Sequence, residues 1–210
     1  QYHLQRSVTP IMDSITSFHD GILMWTISLI VVFVLALLVW IVIRYNAKAN
    51  PVPSRTTHNT LVEVAWTVIP ILILVVIAVP SFRLLYYSDK ATEAGLTVKV
   101  TGHQWYWQVH YPGHAIELTD ELHIPVNTPV YLQLTSADVI HSFWVPRLGV
   151  KLDMLPGRTN VLRLQASEAG TYRGQCAEYC GLGHAHMQFS VIAHEQATFA
   201  IWLKEHSADD

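Results

Sequence analysis

The run "ILMWTISLIVVFVLALLVWIVI", residues 22–43, lies in an interval with no charged side chain between Asp20 and Arg44. A helix needs about 20 apolar residues to cross a bilayer, because backbone polar groups find no water there and must pair within the helix. The run meets that length and predicts a span over about 21–43 rather than a buried core helix. A second uncharged run, "VAWTVIPILILVVIAVPSF" at 64–82, includes Pro70 and Pro80, which membrane helices tolerate when neighbours re-satisfy the backbone. It predicts a second span over about 62–85.

Composition agrees with membrane segments beside a folded soluble part: of 210 residues, 51% are hydrophobic and only 14% charged. A formal net charge of -3, with no basic run and no Gly-rich phosphate loop, sets nucleic-acid and nucleotide binding aside. The sequence opens on Gln1, so its start is read as processed or cut. The first apolar run is too long for a signal-peptide core, lacks a small-residue cleavage pattern, and is read as mature sequence.

Between the spans, residues 44–60 contain Arg44, Lys48 and Arg55 and no acid, whereas the stretch before the first span mixes Arg6 with Asp13 and Asp20. The positive-inside rule makes this connector, with its Pro-rich turn "ANPVPS", cytoplasmic or equivalent. Both termini then face the opposite side. Glu63 stands at the mouth of the second span, where an ionised carboxylate is costly without water or a partner. Two readings stay open for it: a proton-uptake group, or a helix N-terminal acid favoured by the macrodipole.

From about Leu96 the pattern changes to the alternation of strands. "LTVKV", "VYLQL" and "NVLRL" are separated by the turn signals "PVNTP", "LPGR" and "SEAG", which predicts an all-β sandwich or barrel. In the tail "HEQATFAIWLKEH", Phe199, Trp202 and Leu203 fall at i, i+3 and i+4, the spacing of a short packing helix. The expected division is 1–90 for the N-terminal segment and transmembrane hairpin, and 91–210 for one external domain. Residues 92–210 hold 12 acidic and 7 basic side chains. That excess reads as surface solubility or as an acidic face that steers a basic partner.

Both cysteines lie in "GQCAEYCGLGHAHMQF", residues 174–189, with His184 and Met187 close behind. A disulfide is open to Cys176 and Cys180 in an oxidising compartment, but it leaves His184 and Met187 unexplained. Structural zinc rarely uses a thioether. Thiolate, imidazole and a weak Met are the donors of copper electron-transfer sites. One blue-copper ion would leave a cysteine over, whereas two thiolates can bridge two coppers if another imidazole is supplied, and "ADVIHSFWVP" offers His141.

With those residues in place the chain resembles subunit II of the haem-copper cytochrome c oxidases, along essentially its full length. The motifs are "HNTLVEVAWTVIP", "GHQWYWQVHYP", "DVIHSFWVP", "GVKLDMLPGR" and "GQCAEYCGLGHAHM", in that order. The resemblance implies an α+β membrane protein: a two-helix hairpin followed by an all-β, cupredoxin-like Greek-key barrel that holds the binuclear copper centre CuA. It implies that Cys176 and Cys180 bridge both coppers, that His141 and Met187 complete one, and that His184 and the Glu178 carbonyl complete the other. The Glu178 side chain is implied to reach a magnesium ion shared with subunit I. Trp105 is implied to receive the electron from cytochrome c, and Glu63 to feed a proton pathway in subunit I.

Tyr106 and Trp107 are expected to serve packing, and His186 to be a neighbour rather than a ligand. Docking acids are not fixed by a motif; Glu117, Asp120, Glu121 and Asp138 are candidates, and Asp153, which with Asp138 matches a family motif, is open to organising a loop or to meeting a partner. The function implied is electron transfer from cytochrome c through CuA to haem in subunit I, where oxygen is reduced to water with proton pumping. Implied partners are subunit I, subunit III, cytochrome c and membrane lipid, in a bacterial inner membrane with the domain in the periplasm, or else in the mitochondrial inner membrane. Three rivals remain: a copper-free quinol oxidase subunit, the CuA domain of nitrous oxide reductase, and a membrane-tethered copper-binding or assembly module without catalytic electron transfer. The two cysteines with His184 oppose the first, and two spans without a propeller-sized region oppose the second. Against the third stands a full two-copper ligand set beside a Trp-rich surface.

Overall fold

A computed structural model describes residues 4–88 and 95–207. Gln1 and the expected domain boundary at 90/91 lie outside the described residues. The chain divides into two compact units: Thr16–Leu85 is one, and the residues up to Ile15 together with those from Tyr86 onward are the other.

Helix α1 (Pro10–Phe18) starts at a side-chain cap: Thr9 Oγ1 accepts the Met12 N–H at 2.9 Å, and Pro10 at the first helical position has no N–H to satisfy. A π-type turn, His19–Leu23, leads without a break into α2 (Met24–Arg44). The helix therefore runs from Pro10 to Arg44, well before the expected start near 21. The cap at Thr9 decides where it begins, and the last charge before the apolar run does not. The 21 residues of α2 rise about 32 Å, close to the ~30 Å hydrocarbon core of a bilayer.

Helix α3 (Thr60–Ser88) keeps Pro70 and Pro80 inside it and extends past the expected end at 85. Asn59 Oδ1 accepts the Val62 N–H at 3.2 Å while Glu63 Oε1 accepts the Asn59 N–H at 3.0 Å, a reciprocal cap. Apolar side chains of both long helices, Phe33, Leu35, Leu72 and Leu74 among them, are exposed rather than folded into a core. That suits helices whose solvent is lipid.

Among the described residues the second unit holds ten strands: β1 (Leu96–His103), β2 (Tyr106–Tyr111), β3 (Ile116–Thr119), β4 (Glu121–Pro125), β5 (Val130–Ser136), β6 (His141–Val145), β7 (Val150–Met154), β8 (Asn160–Leu164), β9 (Gly170–Cys176) and β10 (Gln188–His194). They form two five-stranded sheets, ordered β3-β2-β1-β5-β8 and β4-β10-β9-β6-β7. β1 with β5 and β4 with β10 are parallel, so the chain crosses between sheets rather than meandering. "LTVKV", "VYLQL" and "NVLRL" lie in β1, β5 and β8, and alternate residues such as Val98, Val100, Leu132 and Leu134 enter one core shared by both sheets. Trp107 is buried there against Phe143 and Phe189.

The expected division put residues 1–90 together, but the structure groups residues 4–15 with the strands. Val8, Ile11 and Met12 are buried on them. The Ser167 N–H donates to the Val8 carbonyl at 2.9 Å and the Thr9 hydroxyl donates to the Leu148 carbonyl at 3.0 Å. Met12 lies so close over Gly149 that a Cβ there would stand 2.9 Å from its sulfur.

Helix α4 (Gln196–His206) closes the chain, with Phe199 and Trp202 buried. Trp202 stacks on His123 at 4.2 Å and on His206 at 4.9 Å, and His123 Nδ1 meets His194 Nε2 at 2.8 Å. One ring must donate and the other accept, so a second proton would set two donors face to face. Burial lowers the pKa of both histidines; Glu121, 3.5 Å from His123 Nε2, opposes that shift, and His194 and His206 reinforce it at His123.

Because the folded values are depressed below the ordinary ~6.5, the unfolded chain binds more protons just below that pH. Stability present above about pH 6.5 is therefore lost as pH falls below it. The full chain in detergent is expected to unfold at lower urea at pH 5.5 than at pH 7.5, with a smaller difference in His123→Phe. Equal differences in the two proteins would remove His123 as the cause.

Candidate metal centre

The centre is built at one end of the second sheet. β9 and β10 pair antiparallel to Gln175 opposite Gln188, and beyond that pair the Cys176 N–H donates to the Met187 carbonyl at 3.0 Å. Cys176 and Met187 thus stand at the two feet of one loop. Cys180 lies along it, and His184 opens a single 3-10 turn, His184–His186. His141 comes from outside the loop as the first residue of β6, the strand on the other side of β9, where Phe143 is opposite Cys176.

These donors converge. The two Sγ atoms are 3.8 Å apart; His141 Nδ1 is 3.9 Å from Cys176 Sγ, and His184 Nδ1 is 3.6 Å from Cys180 Sγ. Met187 Sδ lies 3.7 Å from Cys180 Sγ, and the Glu178 carbonyl oxygen 3.2 Å from Cys176 Sγ. Both cysteines are free thiols. His141, Cys176, Cys180 and Met187 are buried. Two sulfurs in the middle, with two imidazoles, a thioether and a carbonyl around them, fit a soft metal cluster in donor chemistry.

His141 Nε2 is 2.8 Å from Asp138 Oδ1. With the Nε2 proton donated to that carboxylate, the Nδ1 lone pair is left toward the sulfurs, the usual second partner of a ligating histidine. Burial acts to lower the His141 pKa, but Cys176 and Asp138 outweigh it and raise it. The Asp138 carboxyl, in turn, is held below its ordinary value despite burial by hydrogen bonds from His141 and from the Val139 and Gln104 N–H groups.

The thiols differ. Burial pushes the Cys176 thiol up, yet the His141 contact and backbone hydrogen bonds win and bring it down to about 6. Burial and the neighbouring Cys176 sulfur push Cys180 up to about 12. The two thiols therefore ionise unequally, Cys176 the more readily and Cys180 against the charge of its neighbour.

Of the aromatics in "GHQWYWQ", Trp105 is 41% exposed and its indole N–H donates to the Cys180 carbonyl at 3.0 Å. Tyr106 is half-exposed and stacks on His103 at 4.6 Å, and Trp107 is buried with its ring 6.1 Å from that of His141. Glu178 has an exposed side chain, and so does His186. Glu63 lies on α3, in the other compact unit.

Each candidate docking acid has a partner within the chain. Glu117 is 3.7 Å from His110, Glu121 is beside His123, Asp120 Oδ1 accepts the Trp107 N–H at 2.8 Å, and Asp138 serves His141. Asp153 uses its carbonyl, which accepts from the Asn160 side chain at 2.7 Å. Sequence reasoning missed the Asp138–His141 contact, although the i, i+3 spacing in "DVIH" was a visible signal. It also gave no role to Gln104, whose amide donates to the Cys180 carbonyl at 2.8 Å, although the residue stands inside the motif "GHQWYWQVHYP".

Comparison with known proteins places both parts of the chain. Residues 1–84 match the model for "Cytochrome C oxidase subunit II, transmembrane domain", and residues 112–194 the model for "Cytochrome C oxidase subunit II, periplasmic domain". The chain is 42% identical to a probable cytochrome c oxidase subunit 2 of Rickettsia bellii, over 97% of this chain and 83% of that one. It is 37% identical to cytochrome c oxidase subunit 2 of Oenothera berteroana, over 97% and 89%. The crystal structure of the periplasmic domain of subunit II of the Bradyrhizobium japonicum oxidase superposes with a TM-score of 0.54 at 37% identity, covering 56% of this chain and 96% of that one.

Two free thiols this close are open to oxidation, and a disulfide would consume both central donors. Mild oxidation of the metal-free full chain is expected to remove two titratable thiols and abolish copper uptake, with both restored by dithiothreitol. Undiminished uptake by the oxidised chain, measured by metal analysis after gel filtration, would exclude thiolate ligation.

Proposed function

The chain belongs to the cytochrome c oxidase subunit II family, and we propose that it is the electron-receiving subunit of a terminal oxidase. It is a membrane protein and part of an oxidoreductase complex. When bound, the binuclear copper centre CuA would take electrons singly from cytochrome c and deliver them to haem in subunit I, where oxygen is reduced with proton pumping. The observation that carries this reading is the convergence of His141, Cys176, Cys180, His184, Met187 and the Glu178 carbonyl within 3.9 Å of one or other sulfur.

The chain's own residues divide the work. Cys176, Cys180, His141, His184, Met187 and the Glu178 carbonyl would hold the metal ions, with Cys176 and His141 carried on β9 and β6 and the other donors on the loop between β9 and β10. A frame that changes little when charge changes keeps reorganisation small, the condition for fast electron transfer. Trp105, half-exposed and bonded to the carbonyl of a ligand residue, is suited to receive the electron at the surface. The exposed Glu178 carboxylate would contribute to a magnesium ion shared with subunit I. Subunit III is a further expected neighbour.

In this reading the domain faces the periplasm of a bacterial inner membrane, with the 44–60 connector on the cytoplasmic side. Glu63 would pass protons into subunit I, and its hydrogen bond to the Asn59 N–H fixes the carboxylate at the start of α3. The acidic excess of the external domain would steer cytochrome c, an attraction screened by salt.

The deciding measurement is copper content with electron paramagnetic resonance on the purified chain. Two coppers and hyperfine coupling of one unpaired electron to two equivalent nuclei are expected; a single copper, or none in a folded chain, would refute the reading. Met187→Leu is expected to keep both ions and shift the reduction potential, as befits a weak axial donor. In the assembled oxidase, Glu63→Ala is expected to slow turnover while electron arrival at copper stays at the parental rate. Parental turnover would remove Glu63 from the proton path.

A further inference from the structure

The connection between β1 and β2 is a two-residue hairpin, Gln104 and Trp105, beyond the last pair His103–Tyr106. Its tip reaches the metal loop and grips a single atom, the Cys180 carbonyl oxygen. Gln104 Nε2 donates to it at 2.8 Å and Trp105 Nε1 at 3.0 Å, which fills both of its lone-pair positions. On the other side, the Gln104 N–H donates to Asp138 Oδ2 at 2.7 Å, and Asp138 Oδ1 receives His141 Nε2 at 2.8 Å. One turn of chain therefore touches both halves of the site, the Cys180 loop and the partner of His141.

The close approach is built into the loop. Gly181 has φ +114°, and a Cβ there would stand 3.1 Å from both Gln104 Nε2 and the Trp105 ring. At Gly183 a Cβ would stand 2.4 Å from the Trp105 ring. Only glycine at these two positions lets the indole lie flat against the loop backbone.

We propose that the Gln104–Trp105 tip is a bracket that sets the metal loop against His141, with Gln104 as the positioning residue for the Cys180 thiolate. The carbonyl belongs to the Cys180–Gly181 peptide, so holding its oxygen at two points holds the peptide plane that follows the Cys180 Cα and limits how far that Cα and the sulfur it carries can shift. Trp105 alone leaves that peptide free to pivot about one hydrogen bond; Gln104 supplies the second point and removes the pivot. Because the bracket is made of protein groups only, it holds in the metal-free chain and presents the sulfurs ready spaced.

The part of this that concerns copper rests on the function proposed above, and the test separates the two. Gln104→Met keeps length and loses the donor. In the metal-free full chain, hydrogen–deuterium exchange of residues 177–187 is expected to speed up about fivefold, the worth of one net hydrogen bond, while β1 and β5 keep parental rates. In the copper-loaded chain, the same substitution is expected to make the two copper hyperfine couplings unequal. Should Gln104→Met fail to fold, Gly183→Ala, which displaces the Trp105 ring, is expected to give the same loop-confined change. Parental exchange in the loop, acceleration spread equally over the strands, or an unaltered hyperfine pattern in a loosened loop would each overturn the bracket. A parental chain that binds no copper would instead overturn the copper reading, and the metal-free exchange would still decide the bracket.

Discussion

The hydrogen bond from the Cys176 N–H to the Met187 carbonyl closes the metal loop at its base, and the geometry above it follows from that closure. It is the rung after the last regular pair of β9 and β10, so the register of two strands deep in the sheet decides how two soft donors face each other at its rim. A slip of one residue in that register would exchange inward and outward side chains along the whole strand, burying Arg173 and exposing Tyr172. The sheet's core thus guards the site at a distance. Gly174 shows how tightly: a Cβ there would fall 2.2 Å from the Phe189 ring, so the strand pair can close only around a glycine.

Much of the architecture was legible because it rests on periodic signals. Two uncharged runs marked the long helices, alternation marked β1, β5 and β8, and helical spacing of Phe199 and Trp202 marked α4. The loop 174–189 showed its chemistry by crowding sulfur and imidazole, and motif order tied it to His141. What escaped was whatever depends on where chain segments meet. The helix begins at Pro10 through a single Thr9 cap, which apolar run length does not register. Residues 4–15 pack on the strands through Val8, Ile11 and Met12, three side chains too few to make a pattern.

Gln104 illustrates the same limit at the site. The motif around it draws the eye to its aromatic residues, and its contact with Cys180 spans 76 positions of sequence. Asp138 was visible but was read outward, toward a partner, because an acid near the surface of an acidic domain suggests docking. In the structure both carboxylate oxygens are engaged inward, one with His141 and one with the Gln104 N–H. Its charge therefore acts first on the imidazole.

Electrostatics explains why such a site needs a rigid frame. Two sulfurs 3.8 Å apart in a buried place cannot both carry charge on their own: the Cys176 thiol is drawn down to about 6 and the Cys180 thiol driven up to about 12. Metal binding must therefore displace a proton from Cys180, and affinity becomes linked to pH. A flexible loop would relieve the conflict by letting the sulfurs drift apart, which would also destroy the ligand set. The closure at Cys176 and Met187 and the two donors on the Cys180 carbonyl deny it that relief. In the metal-free protein the conflict is met by a proton held on Cys180, so the order imposed by β9, β10 and the β1–β2 turn keeps both sulfurs in place while that proton is exchanged for a cation.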